Sequence, residues 1–190
     1  MNENNFENGV YTKINFAENK LKNGEYDNCK FIDCDFSGVN LSNFAFIECR
    51  FENCNFSNAK IKQTAFKDVK FKNSKLLGLN FSDCDPFLLS LNFENCLLKL
   101  ASFYKLVLKK TDFVNCNLQE VDFTEANLTA AKFDNCDLMR AIFVNTILEK
   151  ADFLTSFNYS FDPELNKIKK AKFSQLNVSG LLDKYDIIIQ

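Results

Sequence analysis

Large apolar residues recur at every fifth position of this chain, and most of them are phenylalanine. One series runs from Phe6 to Phe81, and after an interruption a second series runs from Phe93 to Phe153. A period of five fits neither an α-helix, which repeats every ~3.6 residues, nor a flat strand, which repeats every two. The pattern predicts a solenoid in which each short side of a coil contributes one buried residue, which we call the anchor.

The position two residues before each anchor is also restricted, because it is mostly small or apolar. The remaining positions are mostly Asp, Asn, Lys, Glu, Ser or Thr. Two inward and three outward positions in every repeat indicate a narrow, filled interior under a polar surface.

With these features the chain resembles the pentapeptide-repeat family, whose unit is written A(D/N)LXX. The resemblance covers about residues 6–157, and clear matches are Ala126-Asn127-Leu128, Ala151-Asp152-Phe153, Val121-Asp122-Phe123 and Cys136-Asp137-Leu138. It implies an all-β solenoid, a right-handed quadrilateral β-helix in which four pentapeptides close each coil. We therefore expect a β-helix over residues 1–157, and a loop, a last partial coil and a short C-terminal helical cap over residues 158–190.

In a coil of twenty residues, equivalent positions of successive coils stack in columns. These columns show whether the interruption near residues 85–92 keeps or changes the register of the coils. If that segment is a two-residue bulge, one face carries a column of seven phenylalanines. A cysteine-rich column and an asparagine-rich column also stay in register across the interruption. A three-residue deletion would rotate the faces and break the columns, so we predict one continuous helix. The three columns are Phe31, Phe51, Phe71, Phe93, Phe113, Phe133 and Phe153; Cys34, Cys54, Ser74, Cys96, Cys116 and Cys136; and Asp33, Asn53, Asn73, Asn95, Asn115 and Asn135.

All eight cysteines occupy the position two before an anchor, which favours a role as small buried hydrophobes over metal or disulfide chemistry. No CxxC pair is present and the chain contains no His, the commonest general base and metal ligand. The Asn column is interpreted as a structural ladder of side-chain amides, with a ligand-binding strip as the alternative. The sequence predicts no enzyme, no cofactor and no metal.

The charge balance describes a mildly acidic protein, with a formal net charge of -2. This balance does not favour direct nucleic-acid binding. No apolar run has the length of a membrane helix, and the N-terminus lacks the features of a secretory signal, so a cytoplasmic location is expected. Lysines cluster in one coil and in two shorter groups, which are either solvated surface or a contact for an acidic partner. The groups are Lys60, Lys62, Lys67, Lys70, Lys72 and Lys75; Lys105, Lys109 and Lys110; and Lys167, Lys169, Lys170 and Lys172.

Two functions remain open. The family includes quinolone-resistance proteins thought to imitate duplex DNA and protect a type II topoisomerase, which makes DNA gyrase a candidate partner. Here the outer positions mix Lys with Asp and Glu, so the favoured hypothesis is a cytoplasmic scaffold or protein-interaction module with an unidentified partner. Apolar residues near the interruption form the predicted contact patch: Leu77, Phe87, Leu88, Leu89, Leu97 and Leu100.

The C-terminal tail must cover the open end of the solenoid, because that end exposes the apolar interior. Several members of the family dimerise through this end, and the tail here is compatible with a homodimer. The predicted contact residues are Leu181, Leu182, Tyr185, Ile187 and Ile189.

Overall fold

The computed structural model describes residues 4–189. These residues form short parallel strands stacked as a β-solenoid of about eight turns, which confirms the predicted fold class. One sheet has the strand order β1-β3-β5-β7, and the other runs from β2 through β4, β6, β8, β9, β10, β11 and β12 to β13. The strands are β1 Asn5–Glu7, β2 Val10–Thr12, β3 Glu25–Asp27, β4 Lys30–Ile32, β5 Ala45–Ile47, β6 Arg50–Glu52, β7 Ala65–Lys67, β8 Val69–Lys72, β9 Leu91–Glu94, β10 Asp112–Val114, β11 Lys132–Asp134, β12 Asp152–Phe153 and β13 Lys172–Phe173.

The strand register shows a coil of twenty residues with one two-residue insertion. Phe31 pairs with Phe51, whereas Phe71 pairs with Phe93, so register is kept across the interruption as predicted. With an anchor every five residues, each coil has four faces. In the coil that starts at Phe31, this residue lies on face 1, Phe36 on face 2, Leu41 on face 3 and Phe46 on face 4, and all four side chains are fully buried. Faces 1 and 3 are therefore opposite each other, as are faces 2 and 4.

Stacked aromatic rings fill the interior behind face 1. The column begins at Tyr11 and ends at Phe173, which makes it two rings longer than the predicted seven. Phe113 is typical, since its ring centroid lies 5.2 Å from that of Phe93 and 5.1 Å from that of Phe133, with nearly parallel planes. Rings of face 3 meet this column edge-on. Each such contact adds about 0.5–1.5 kcal/mol beyond burial, so this column is a main source of stability.

The corners of the coils use left-handed backbone, and this explains the Asn column. Asn53, Asn73 and Asn95 have φ of 55°, 50° and 53°, a conformation that Asn adopts more easily than most residues. Their side-chain amides also bond along the rod: Asn73 Nδ2 donates to Asn53 Oδ1 at 3.2 Å, and Asn95 Nδ2 to Asn73 Oδ1 at 3.0 Å. Asn53 Nδ2 donates in turn to Asp33 Oδ1 at 2.9 Å. The column is a structural ladder.

The C-terminal cap differs in detail from the predicted helix. Lys172 in β13 pairs with Asp152, so the rod gains a last partial coil. Beyond it the chain forms two 3-10 segments, Val178–Leu181 and Asp183–Tyr185. The Ser174 hydroxyl accepts the Asn177 N–H at 3.3 Å, as an N-cap would, but a turn follows instead of an α-helix. Leu181 closes the core at the end of the rod. Among the described residues no helix is long and apolar enough to cross a membrane.

Candidate functional site

The six residues of the predicted contact patch do not form one surface. Leu77, Leu97 and Leu100 flank the anchors of face 2, whereas the segment Phe87–Leu89 follows Pro86 on face 4. The reason is geometric, because residues ten apart in a coil of twenty lie on opposite sides. The prediction of one contact patch is therefore wrong: its residues lie on two separate surfaces, and the more exposed surface is on face 4.

The insertion lies between two fixed points of the register, the Ala65–Asp85 bridge and the Val69–Leu91 pair. Asp85 turns the chain outward, since its Oδ1 accepts the Phe87 N–H at 2.9 Å. The side chains of Phe87 and Leu88 are then 66% and 65% exposed, while Leu89 packs back against the core. Two large apolar side chains are therefore exposed next to each other at the insertion.

The insertion also interrupts the backbone hydrogen bonds between coils. On face 4, Leu108 N donates to Asn127 O at 2.8 Å, and Asn127 N donates to Leu106 O at 2.8 Å. Within residues 4–189, no backbone hydrogen bond joins segment 85–88 to segment 107–110 of the next coil. Pro86 contributes directly, because it has no N–H to donate. Val107, on the far side of this gap, is 58% exposed.

Leu88 is strained as well as exposed. Its φ is 57°, and left-handed backbone costs a residue with a Cβ about 1–2 kcal/mol. Leu100, at the opposite edge of the rod, has φ of 63° and is 53% exposed. Most other left-handed corners carry polar residues or Gly. An exposed apolar residue in strained backbone contributes little to the fold, so Leu88 is a candidate for function and Leu100 is its matched comparison away from the insertion.

We call Phe87, Leu88 and Val107 the insertion patch. Lys67 Nζ lies 5.7 Å from the centroid of the Phe87 ring, so a cation rests on the edge of the patch. Lys109 and Lys110 follow Val107 and its buried neighbour Leu108 in the next coil. The patch thus has an apolar centre and a basic rim.

Charges of both signs are interleaved along the rod. On face 1 the residues before successive anchors are Lys30, Arg50, Lys70, Asn92, Asp112, Lys132, Asp152 and Lys172. Lysines of one coil also pair with carboxylates of the next, as Lys72 does with Glu94 at 2.8 Å and Lys105 with Glu125 at 3.5 Å. Across the described residues we find no continuous acidic face.

The cysteines act as buried hydrogen-bond donors as well as packing groups. In the column that runs from Cys34 to Ser156, each thiol or hydroxyl donates to the carbonyl of the face 1 anchor of the preceding coil. Cys136 Sγ, for example, donates to Phe113 O at 3.3 Å. All eight cysteines are free and buried. Burial raises the pKa of the Cys49 and Cys54 thiols to about 12, so they are unreactive.

The C-terminal end presents the densest group of exposed apolar side chains. Three of the predicted dimer residues are more than half exposed: Tyr185, Ile187 and Ile189, at 52%, 56% and 57%. Leu182 is 36% exposed, and Leu181 is buried in the core. Sequence reasoning missed Leu176 and Ile188, which are 92% and 88% exposed. Lys184 holds the tail to the last coil through Asp162 at 2.7 Å and Glu164 at 2.8 Å.

Among residues 4–189, no group of three or more Cys, Asp and Glu side chains is placed to hold a metal ion. A surface depression of about 520 Å³ lies open on face 1 and is lined by residues that include Arg50, Lys70 and Asp112. General acid–base catalysis needs positioned groups in a shielded site, which this groove does not provide.

Comparison with known protein families identifies the repeat. A family model described as a pentapeptide repeat region matches residues 24–86 and 88–157. Among curated proteins, none matches the chain.

Three solved structures illustrate the likeness. A trypsin-treated variant of QnrB1, a plasmid-mediated fluoroquinolone resistance protein, is 22% identical over 97% of this chain and 99% of its own, with a TM-score of 0.49. HetL, a pentapeptide repeat protein involved in heterocyst differentiation regulation in a Nostoc cyanobacterium, is 16% identical over 90% and 86%, with a TM-score of 0.36. A pentapeptide repeat protein from the Arabidopsis thaliana thylakoid lumen is 26% identical over 49% and 60%, with a TM-score of 0.37.

Proposed function

The chain belongs to the pentapeptide-repeat family, and we propose that it is a non-enzymatic protein-interaction module that contacts its partner through the insertion patch. The observation that carries this proposal is the combination of exposure and strain at Leu88, which is 65% exposed at a φ of 57°. Most corners of this kind carry a polar residue or Gly, which would avoid the exposed apolar side chain and lower the strain. Exposed apolar groups in one place are typical of a protein contact.

The anatomy of the patch supports a protein partner. Protein interfaces combine an apolar centre, which supplies most of the affinity, with a polar rim that excludes water. Phe87, Leu88 and Val107 provide the centre, and Lys67 and Lys109 belong to the rim. We also propose a cytoplasmic location, because eight free thiols fit a reducing compartment.

Protection of a type II topoisomerase by DNA imitation is the alternative. Imitation of DNA requires a continuous negative surface, and the interleaved lysines of face 1 argue against it. The direct test is a DNA gyrase supercoiling assay with a quinolone. We expect no protection at micromolar protein, and clear protection would favour the alternative.

We further propose that the C-terminal end forms a homodimer. Leu176, Tyr185, Ile187, Ile188 and Ile189 are all more than half exposed, and a second copy would cover them. Sedimentation equilibrium should show a dimer that Ile187→Lys with Ile189→Lys converts to a monomer. An unchanged mass would contradict this contact.

The main proposal is tested by capture with two matched variants. Immobilised wild type, Leu88→Asn and Leu100→Asn are incubated with lysate of the source cells, and bound proteins are quantified by mass spectrometry. Both substitutions put Asn at a left-handed corner on the surface, so both should fold. We expect a specific partner to be retained by wild type and Leu100→Asn and lost with Leu88→Asn. If all three capture the same proteins, the insertion patch is not the contact.

A further inference from the structure

The lysines around the insertion patch differ in pairing from three lysines on neighbouring parts of the rod. Lys72, Lys99 and Lys105 form salt bridges with carboxylates of the following coil. In contrast, the salt bridges of the described residues include none of the lysines that flank the patch. These are Lys67, Lys70, Lys109 and Lys110.

Few carboxylates oppose these cations nearby. Asp68 lies at the corner beside Lys67, and Asp112 lies beyond the patch on face 1. Asp85 accepts the Phe87 N–H through its Oδ1 at 2.9 Å and keeps its negative charge. With four lysines and three carboxylates around the apolar centre, the rim has a small net positive charge.

The interrupted ladder adds to this positive character. The N–H groups of Leu88 and Val107 have no hydrogen-bond acceptor within residues 4–189. Unpaired backbone N–H groups carry partial positive charge and favour anions. The backbone N–H groups and the lysine side chains therefore both favour an anion at the insertion patch.

Resting on the proposed function, we infer that the insertion patch binds an acidic segment of a partner protein, one in which large apolar side chains stand among Asp or Glu residues. The apolar side chains would contact Phe87, Leu88 and Val107. The carboxylates would pair with Lys109 and Lys110 on one side, and with Lys67 at the edge of the Phe87 ring. Charge complementarity of this kind sets partner choice and association rate.

Fluorescence anisotropy with labelled peptides tests this partner chemistry. The probe is a short peptide with Leu and Phe among Glu residues, and the control peptide has every Glu replaced by Gln. The protein variants are Lys109→Glu with Lys110→Glu, and a control pair, Lys60→Glu with Lys62→Glu, that makes the same charge change on face 3. Thermal melts check that both pairs fold like wild type.

We expect the patch pair to weaken binding of the Glu peptide by at least about tenfold, because like charges then face each other. The control pair should stay within about twofold of wild type, and the Gln peptide should bind weakly to every variant. Equal binding to all variants, or no binding of the Glu peptide, would overturn the inference.

The two proposals fail separately. If Leu88→Asn keeps every captured protein, the patch is not the contact and the proposed function is wrong. If Leu88→Asn loses its partner while Lys109→Glu with Lys110→Glu keeps it, the patch stands and only its acidic occupant is wrong.

Discussion

The cysteine column can be tested because two explanations of its thiols, as hydrogen-bond donors or only as small hydrophobes, predict opposite orders of stability for two variants. Cys136 is completely buried, and its Sγ donates to Phe113 O at 3.3 Å. Ser74 donates to Phe51 O from the equivalent position three coils earlier in this column and Ser156 to Phe133 O one coil later, so the site suits a hydroxyl. We predict that Cys136→Ser is more stable than Cys136→Ala.

The size of this stability difference follows from the hydrogen-bond donor that Cys136→Ala loses and Cys136→Ser keeps. Both variants remove the sulfur, so the volume they leave is similar, and they differ chiefly in the hydrogen bond to the Phe113 carbonyl. Such a bond contributes about 0.5–1.5 kcal/mol net. For a protein of this length, each kcal/mol shifts the melting temperature by roughly 2–4 °C.

Thermal unfolding followed by far-ultraviolet circular dichroism under reducing conditions measures the difference. The donor account predicts that Cys136→Ser melts a few degrees above Cys136→Ala. If the thiols were only small hydrophobes, the buried hydroxyl would be a penalty and Cys136→Ala would melt higher. That order would refute the reasoning.

Three further predictions concern the cap and the interrupted ladder. Gly180→Ala should detach the cap, because a Cβ there would overlap the carbonyl oxygen of Tyr159; limited proteolysis should cut the tail faster, and unchanged cleavage would contradict this. Lys184 lowers the pKa of Asp162 and Glu164, so its stabilisation of the tail is present at neutral pH and is lost as the pH falls through their folded pKa values. Lys184→Met should therefore make the tail's hydrogen-exchange protection less dependent on pH on the acid side, and an unchanged profile would oppose this. The amide of Val107 should exchange faster than those of Asn127 and Ile147 on the same face, and equal protection would mean that the ladder is closed.

Most of the fold was predictable because the interior obeys one rule. The phenylalanine column and its register across Pro86 followed from counting in twenties, and the structure extends it to Tyr11 and Phe173. The end cap was less predictable. The sequence indicated a short helical cap, yet the tail is short and packs onto the last coil, which favours 3-10 turns.

The site was predictable only in part. The segment Phe87–Leu89 was recognised, but joining it to Leu97 ignored that half a coil separates opposite faces. Val107 was missed although it stands one residue before the anchor Leu108, an outward position that the repeat itself marks. The role of the thiols had a visible signal, since every member of their column from Cys34 to Ser156 can donate a hydrogen bond.

The central claim is that the insertion serves binding and not folding. Deleting Phe87 and Leu88 tests it most directly, because Pro86 then stands five residues before the anchor Phe93 and the five-residue spacing that follows Phe81 continues without the insertion. The measurement is capture of the partner that wild type retains, on a deletion variant whose melting temperature shows that it is folded. We predict a folded rod that captures none of this partner. A folded rod that still captures it at the wild-type level would contradict the account.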